Sequence, residues 1–494
     1  MQEFEIIAKT FKGLEEVLAQ ELTELGANNI QLGNRMVSFT GDKRMLYCAN
    51  FHLRTAVRVL KPIAHFKAKE ADDVYKAVRK IAWDDYFDLK TTFVVDSVVH
   101  SEEFRHSKYV AYKVKDAIVD YFRDKTGERP TIRITNPDIR LNIHISDTDC
   151  TLSLDSSGES LHHRGYRVKT VAAPINEVLA AGLIRMTGWK GETDFIDPFC
   201  GSGTMLIEAA LIARNIAPGI FRKEYAFEKW NDFDANLLDE IYNDDSAERQ
   251  FHHHIYGYDI NQPALDAAAE NVKSARLSDV ITLVRQDFRD FQKPAEPALM
   301  VTNPPYGERL TPPDLLQLYQ AIGTILKHNF TGNDAWIICS RQELFENLGL
   351  RHSFKAEVFN GQLDCDFRKF QLFEGKLGKY RAAGGKVKSD EERRLMSDQR
   401  RFRHERNDFK RRFDDEEEDP RPFYDDEEFG ADYRLLRRRH REFEQSEFAR
   451  QHRSGERRGG KPHHADGKGR AAKAGYRAGG KPSFGRPDRK RFKD

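Results

Sequence analysis

Two short segments about a hundred residues apart carry chemically unusual residue sets: 302–307, TNPPYG, and 197–204, DPFCGSGT. In the first, the side-chain carbonyl of Asn303 and the backbone carbonyl of Pro304 can each accept an N–H. Pro304 and Pro305 fix φ and carry no amide hydrogen, so the segment is stiff and its carbonyls are free to point outward. Tyr306 follows as a flat ring on which a planar group can stack. An exocyclic amine on a base is a poor nucleophile, because its lone pair is delocalised into the ring. Acceptors that hold its N–H groups let the nitrogen pyramidalise, which is the help such an amine needs before it can attack a carbon.

The second segment reads as a strand ending at Asp197, a turn through Pro198 and Phe199, and a helix starting after Thr204. Gly201 and Gly203 let the backbone turn sharply and approach a ligand. A phosphate-binding loop competes with this reading, but there is no third glycine of a dinucleotide fingerprint and no G-K-[ST]. S-adenosyl-L-methionine (SAM) has no phosphate and needs only close backbone contact and hydrogen bonds. Asp197 suits the amino group of its methionine part. In YGYDIN, 256–261, Asp259 with Ile260 follows the next strand, where a carboxylate would hold ribose hydroxyls. Asp259 lies nearly sixty residues beyond the glycine turn, against the roughly twenty of a minimal βαβ unit. An aromatic, polar insertion at about 215–253 accounts for the excess and is expected to shape the substrate entrance. In RQDF, Asp287 would accept from the adenine amine and Phe288 would cover the ring.

The implied reaction is in-line transfer of a methyl group from a sulfonium to a base nitrogen, with the base out of its stack. Cys200 invites an alternative, thiolate attack on a pyrimidine, but a nucleophile is wanted at the substrate loop and that loop is NPPY. Cys200 reads instead as a small packed residue. The adjacent histidines His162, His163 and 252–254 lack partners at ligand spacing, so no metal is expected.

These motifs need a scaffold. From 170 to 375 strands and helices alternate, the mark of a doubly wound parallel sheet, with strands at 194–197, 255–259, 281–284, 298–302 and 335–339. Two last strands, 355–360 and 367–373, are too close for a parallel crossover and read as an antiparallel hairpin. Residues 1–66 form a small ferredoxin-like unit whose helix, 13–25, repeats Leu14, Val17, Leu18, Leu22 and Leu25 on one face. A second α+β unit, 67–160, is dense in basic residues, among them Arg105 and Lys108, that suit phosphates. Arg164 and Arg167 in the linking LHHRGYRVKT continue this pattern. The catalytic unit spans 161–375.

Of the 494 residues, 32% are charged, and the net charge of +1 hides an asymmetry. Residues 381–494 hold 33 Lys and Arg against 24 Asp and Glu, leaving 47 against 55 for residues 1–380. The tail has an acidic block and RGG-like fragments with little apolar content, and is expected to be disordered. No run of eighteen apolar residues and no signal sequence is evident, and the five cysteines form no C-x-x-C pair. A soluble, cytoplasmic protein is expected.

Taken together, GLEEVLAQELTELGA (13–27), HHRGYR (162–167), APINEVLAAGLI (173–184), DPFCGSGTMLIEAALIARNIAPG (197–219), YGYDIN and TNPPYGERL resemble the bacterial THUMP-domain RNA guanine-N2 methyltransferases, the RlmL/YpsC-like 23S rRNA group. The resemblance covers residues 1–375. It implies a ferredoxin-like domain, an RNA-binding THUMP domain and a Rossmann-like class I methyltransferase domain in which Pro174, Asn176 and Glu177 also contact SAM. It also implies guanosine N2 in 23S rRNA as the methyl acceptor. A related plan acts on tRNA guanosine, and an RNA-binding ribosome assembly factor is a further alternative that would have no need of Asp197, Asp259 and Asn303. The second methyltransferase domain of some relatives has no counterpart in the tail, so dual activity is not expected.

Overall fold

The computed structural model describes residues 3–375, apart from 105, 172, 293–295, 308–311 and 374. Arg105 and the tail 381–494 therefore lie outside the described residues.

The N-terminal module runs β1 (Phe4–Lys9), α1 (Glu15–Leu25), β2 (Asn28–Gly33), β3 (Met36–Gly41), α2 (Lys43–His52) and β4 (Arg58–Lys67). Next come α3 (Ala71–Arg79), β5 (Thr92–His100), α4 (Ser107–Thr126), β6 (Thr131–Ile132), β7 (Ile139–Ser146) and β8 (Asp149–Asp155). Alternation builds the strands: in β7, Ile139, Leu141, Ile143 and Ile145 are buried and the residues between them less so. Spacing of three and four builds the helices: Val110, Val114, Ala117, Ile118 and Phe122 form the buried face of α4.

These strands form one sheet of eight, in the order β2-β3-β1-β4-β8-β7-β5-β6. The seam is β4 against β8, antiparallel from Leu60 opposite Asp155 to Lys67 opposite Asp149, with a shift in register between Pro62 and Ala64. Pro62 has no N–H for the ladder, which explains an irregularity there.

The catalytic part contains α5 (Glu177–Met186), β9 (Asp194–Asp197), α6 (Thr204–Ala213), α7 (Ala235–Asn243), β10 (Ile255–Asp259), α8 (Gln262–Ser274), β11 (Ile281–Arg285), β12 (Ala298–Thr302), α9 (Pro312–Asn329), β13 (Asp334–Cys339), α10 (Gln342–Asn347), β14 (Phe354–Asn360) and β15 (Leu363–Gln371). Its sheet has the order β11-β10-β9-β12-β13-β15-β14. The strands from β11 to β13 are parallel, and β15 is antiparallel to both β13 and β14. The order reverses between β9 and β12, and open sheets of this kind bind ligands at the carboxyl ends of the strands flanking such a reversal.

The insertion at 215–253 does not form a free entrance wall. Tyr225, Phe227 and Trp230 are buried against the N-terminal module: Phe227 stacks on Tyr47 at 4.1 Å and on Tyr225 at 5.1 Å. Ion pairs of Lys43 with Asp232 at 3.2 Å and Arg44 with Glu240 at 2.9 Å close the edge. Tyr225, Phe227, Trp230, Leu238 and Ile241 join the same hydrophobic core as Leu46, Tyr47 and Phe51. Burying these rings removes far more apolar area from water than lining a wet cleft would.

Candidate active site

β9 and β12 are direct neighbours, with Met300 opposite Ile196. Asp197 and Thr302 therefore end their strands side by side, and the NPPY segment begins beside the glycine turn. The Thr302 hydroxyl donates to Asp197 Oδ1 at 2.6 Å, and the Phe199 amide donates to the same oxygen at 3.1 Å. Asp197 is 2% and Thr302 1% exposed. Burial pushes the Asp197 carboxyl up to about 7, with the charge of Asp259 adding to this and the two hydrogen bonds opposing it.

In the turn, Gly201 and Gly203 have φ of +53° and +82°, values L side chains seldom adopt. Gly203 is the N-cap of α6. Among the described residues, no heavy atom lies within 4 Å of where a Cβ on Gly201 would stand, so the backbone there borders space that a side chain would fill. The Asp259 carboxylate accepts from the Gly201 amide at 3.0 Å and from the Asn261 amide at 2.8 Å, holding the turn against the end of β10. Ile260, next to it, is 62% exposed. Pro198 and Thr204 are buried and Phe199 is half-buried. This open backbone cradle flanked by carboxylates at successive strand ends fits a cofactor with an ammonium group and a ribose and no phosphate.

Asp287 caps the short helix Phe288–Asp290, its carboxylate accepting from the Arg289 amide at 2.9 Å. Phe288 is only 4% exposed, packed on Phe199 at 5.4 Å and Phe291 at 5.5 Å. Little of its ring is left to cover an adenine, and Phe199 is the more accessible of the pair. In the segment before α5, Pro174 is exposed, Asn176 caps the helix by accepting from the Val178 amide at 2.9 Å, and Glu177 is buried.

In the substrate corner, Pro304 is buried and Pro305 half-buried. The Asn303 Oδ1 is buried and has no hydrogen-bond partner among the described residues. A buried amide oxygen left bare costs about 1–3 kcal/mol, so this atom stands ready for a donor that a ligand would bring. Tyr306 is 9% exposed; its hydroxyl accepts from Asn360 Nδ2 at 2.6 Å and lies 3.9 Å from Cys365 Sγ. Burial raises its phenol further above the usual tyrosine range. The ring is thus anchored to β14 and β15 and offers only its remaining exposed part to a base. Cys200 is buried, and burial raises its thiol well above normal, as befits packing and not nucleophilic attack.

Two arginines expected at RNA are used internally. Arg164 is 2% exposed; it donates to Glu208 at 3.4 Å, to the Leu161 carbonyl at 2.7 Å and to the Arg54 carbonyl. Tyr166 joins it on Glu208 at 2.8 Å. Arg167 donates to Glu177 Oε1 at 2.7 Å, the Ile175 carbonyl at 3.1 Å and Ser202 Oγ at 3.4 Å. It ties the α5 segment to the glycine turn and is a positioning residue that sequence reasoning missed. For Arg164 the available signal was Glu208, an acid inside the otherwise apolar TMLIEAALIA, which when buried must find a partner. Lys108 is exposed in the first turn of α4.

Comparison with known proteins agrees with this architecture. Family models match the RlmL ferredoxin-like domain over residues 5–60, the THUMP domain over 68–155 and the RMKL-like methyltransferase domain over 164–369. The chain is 39% identical over 369 residues to a candidate RNA methyltransferase, slr0064, of Synechocystis sp., covering 74% of this chain and 96% of that one. It is 38% identical over 377 residues to the ribosomal RNA large subunit methyltransferase K/L of Syntrophotalea carbinolica, covering 74% of this chain but only 53% of that longer protein. Among solved structures, SMU.472, a methyltransferase candidate complexed with S-adenosylhomocysteine (SAH), superposes with a TM-score of 0.69 at 28% identity over 76% of this chain and all of that one. A methylase candidate from Clostridium difficile 630 superposes equally well at 32% identity, over 76% of this chain and all of its own. With the RlmL-type domain series in order and a SAM-type cradle at the reversal of the sheet, the chain belongs to the family of RlmL-type, THUMP-domain RNA methyltransferases that use SAM.

Proposed function

We propose that the protein methylates the exocyclic N2 of a guanosine in large-subunit 23S rRNA. The observation that carries this reading is the bare, buried Asn303 Oδ1 at the end of the strand beside the glycine turn. A guanine amino group brings the N–H that this oxygen lacks. NPPY by itself suits any planar conjugated amine; guanine N2 is drawn from the family resemblance, and the large subunit from the name of the relative in Syntrophotalea carbinolica.

SAM, when bound, supplies a sulfonium methyl group. The chain's own residues do the rest. Asp197 takes the ammonium of the methionine part, Asp259 the ribose hydroxyls and Asp287 the adenine amine. Asn176 and Glu177 shape the near wall with Pro174. Asn303 and the Pro304 carbonyl hold the amine's two N–H groups and align its lone pair, and the exposed part of Tyr306 meets the base. Rate comes from alignment and from acceptors set in advance where positive charge grows on nitrogen. A cytoplasmic location follows from a ribosomal substrate.

The test is incubation with SAM and, separately, 23S rRNA and total tRNA, followed by nucleoside mass spectrometry. N2-methylguanosine in 23S rRNA supports the assignment. Methyladenosine, or transfer to tRNA alone, overturns it.

A further inference from the structure

We propose that Lys12 and Arg35 of the N-terminal module grip the RNA phosphates flanking the target nucleotide at the rim of the catalytic site. This rests on the reading above and names how its substrate is held. β14 runs parallel to β13, since both are antiparallel to β15. Asn360, at the end of β14, therefore lies on the same carboxyl edge of the sheet as Asp197 and Thr302, and it anchors Tyr306 at 2.6 Å. On the adjoining ring of Phe359 two cations converge from another module. Lys12 Nζ is 4.9 Å and the Arg35 guanidinium 5.6 Å from its centroid.

Their convergence is built in. Lys12 lies in the loop between β1 and α1, and Arg35 in the turn between β2 and β3. The Glu15 carboxylate joins the two loops, accepting from the Gly13 amide at 2.7 Å and from the Arg35 amide at 3.0 Å. Burial raises the Glu15 carboxyl, a cost accepted in return for the two hydrogen bonds. Gly13 fits against the catalytic hairpin so closely that a Cβ would stand 2.3 Å from the Glu357 carbonyl oxygen. Arg35 itself has φ +54°, a conformation that non-glycine residues hold only where the surroundings enforce it.

Ion pairing separates Lys12 and Arg35 from four basic residues of α4, although the Arg35 charge does lie near enough to Glu15 to favour its ionised form. Lys113, Lys115, Arg123 and Lys125 on α4 are all paired with aspartates. Among the described residues, neither Lys12 nor Arg35 makes an ion pair. A cation over a ring keeps donors free, and a cation beside an extruded base meets the phosphates on either side of it.

The experiment uses the full chain, SAM and whichever of 23S rRNA or tRNA the wild type methylates, comparing wild type with Lys12→Gln/Arg35→Gln. The double variant is expected to raise KM for RNA with kcat and SAM affinity unchanged. The plot of log affinity against log salt concentration should become shallower by about 0.7–0.9 per phosphate contact, roughly 1.5 for the pair. Lys12→Arg/Arg35→Lys should restore the slope. An unchanged slope, with or without a lower unfolding temperature, overturns the proposal and leaves the pair as a staple between modules. Methylation of neither RNA by the wild type removes the functional reading, and this proposal with it.

Discussion

The Thr302 hydroxyl donates a 2.6 Å hydrogen bond to the Asp197 carboxylate, joining the residue before the NPPY segment to the residue that opens the glycine turn. Both side chains are buried, so the contact is unscreened by water and sensitive to the charge on Asp197.

That sensitivity sets a pH dependence. The Asp197 carboxyl is raised from 3.8 to about 7 by burial, aided by the Asp259 charge; the Cys200 thiol beside it is neutral in this range. A raised carboxyl binds its proton more tightly in the folded protein, so its contribution to stability is complete below about pH 4 and is lost as pH rises through about 7. With Asp197 holding the ammonium as proposed, SAM affinity runs the other way, because that contact needs the ionised carboxylate. It should rise toward pH 7 and fall again above about 8 as an α-amino group loses its proton. Thr302→Val removes a donor that favours the ionised form and moves the lower midpoint upward, whereas Thr302→Ser leaves it in place. Calorimetry from pH 5 to 9 measures this, and a flat wild-type profile contradicts it.

Asp259→Ala should weaken SAM binding by ~1–3 kcal/mol, the cost of unpairing buried hydrogen-bonding groups. Its carboxylate also holds the Gly201 amide, so the loss includes a loosened turn. Equal SAM affinity in variant and wild type would remove Asp259 from the cofactor site.

Arg164→Met should destabilise the fold by about 3–5 kcal/mol, because it strands the buried Glu208 without its charge partner. RNA affinity of the folded fraction should stay the same. Denaturant unfolding and filter binding separate the two effects, and a stable variant with weak RNA binding would return Arg164 to the RNA surface.

Much of the catalytic sheet was legible in the sequence because its signals are local. Asp194–Asp197, Ile255–Asp259 and Ala298–Thr302 coincide with the strands expected there, and the terminal hairpin is present, with β15 starting four residues earlier and ending two residues earlier than expected. β2 was missed because NNIQLG is polar and mostly exposed, leaving no alternation to detect. The joining of β4 to β8 depends on which sheet edges meet, and no short window of sequence encodes that. Tyr225 and Phe227 would look the same lining a cleft or filling a core, and only the partner Tyr47, some 180 residues earlier, decides between them. Arg164 and Arg167 read as surface charges because their acids, Glu208 and Glu177, lie 44 and 10 residues away.

Whether Asn303 grips the amine that receives the methyl group is decided by quantitative nucleoside mass spectrometry of rRNA treated with wild type or Asn303→Ala at saturating SAM. The wild type should yield N2-methylguanosine and the variant a rate lower by about 10²–10³-fold, the range for losing one hydrogen bond set in place for the transition state, with SAM affinity unchanged. An Asn303→Ala enzyme that methylates at the wild-type rate would contradict that grip.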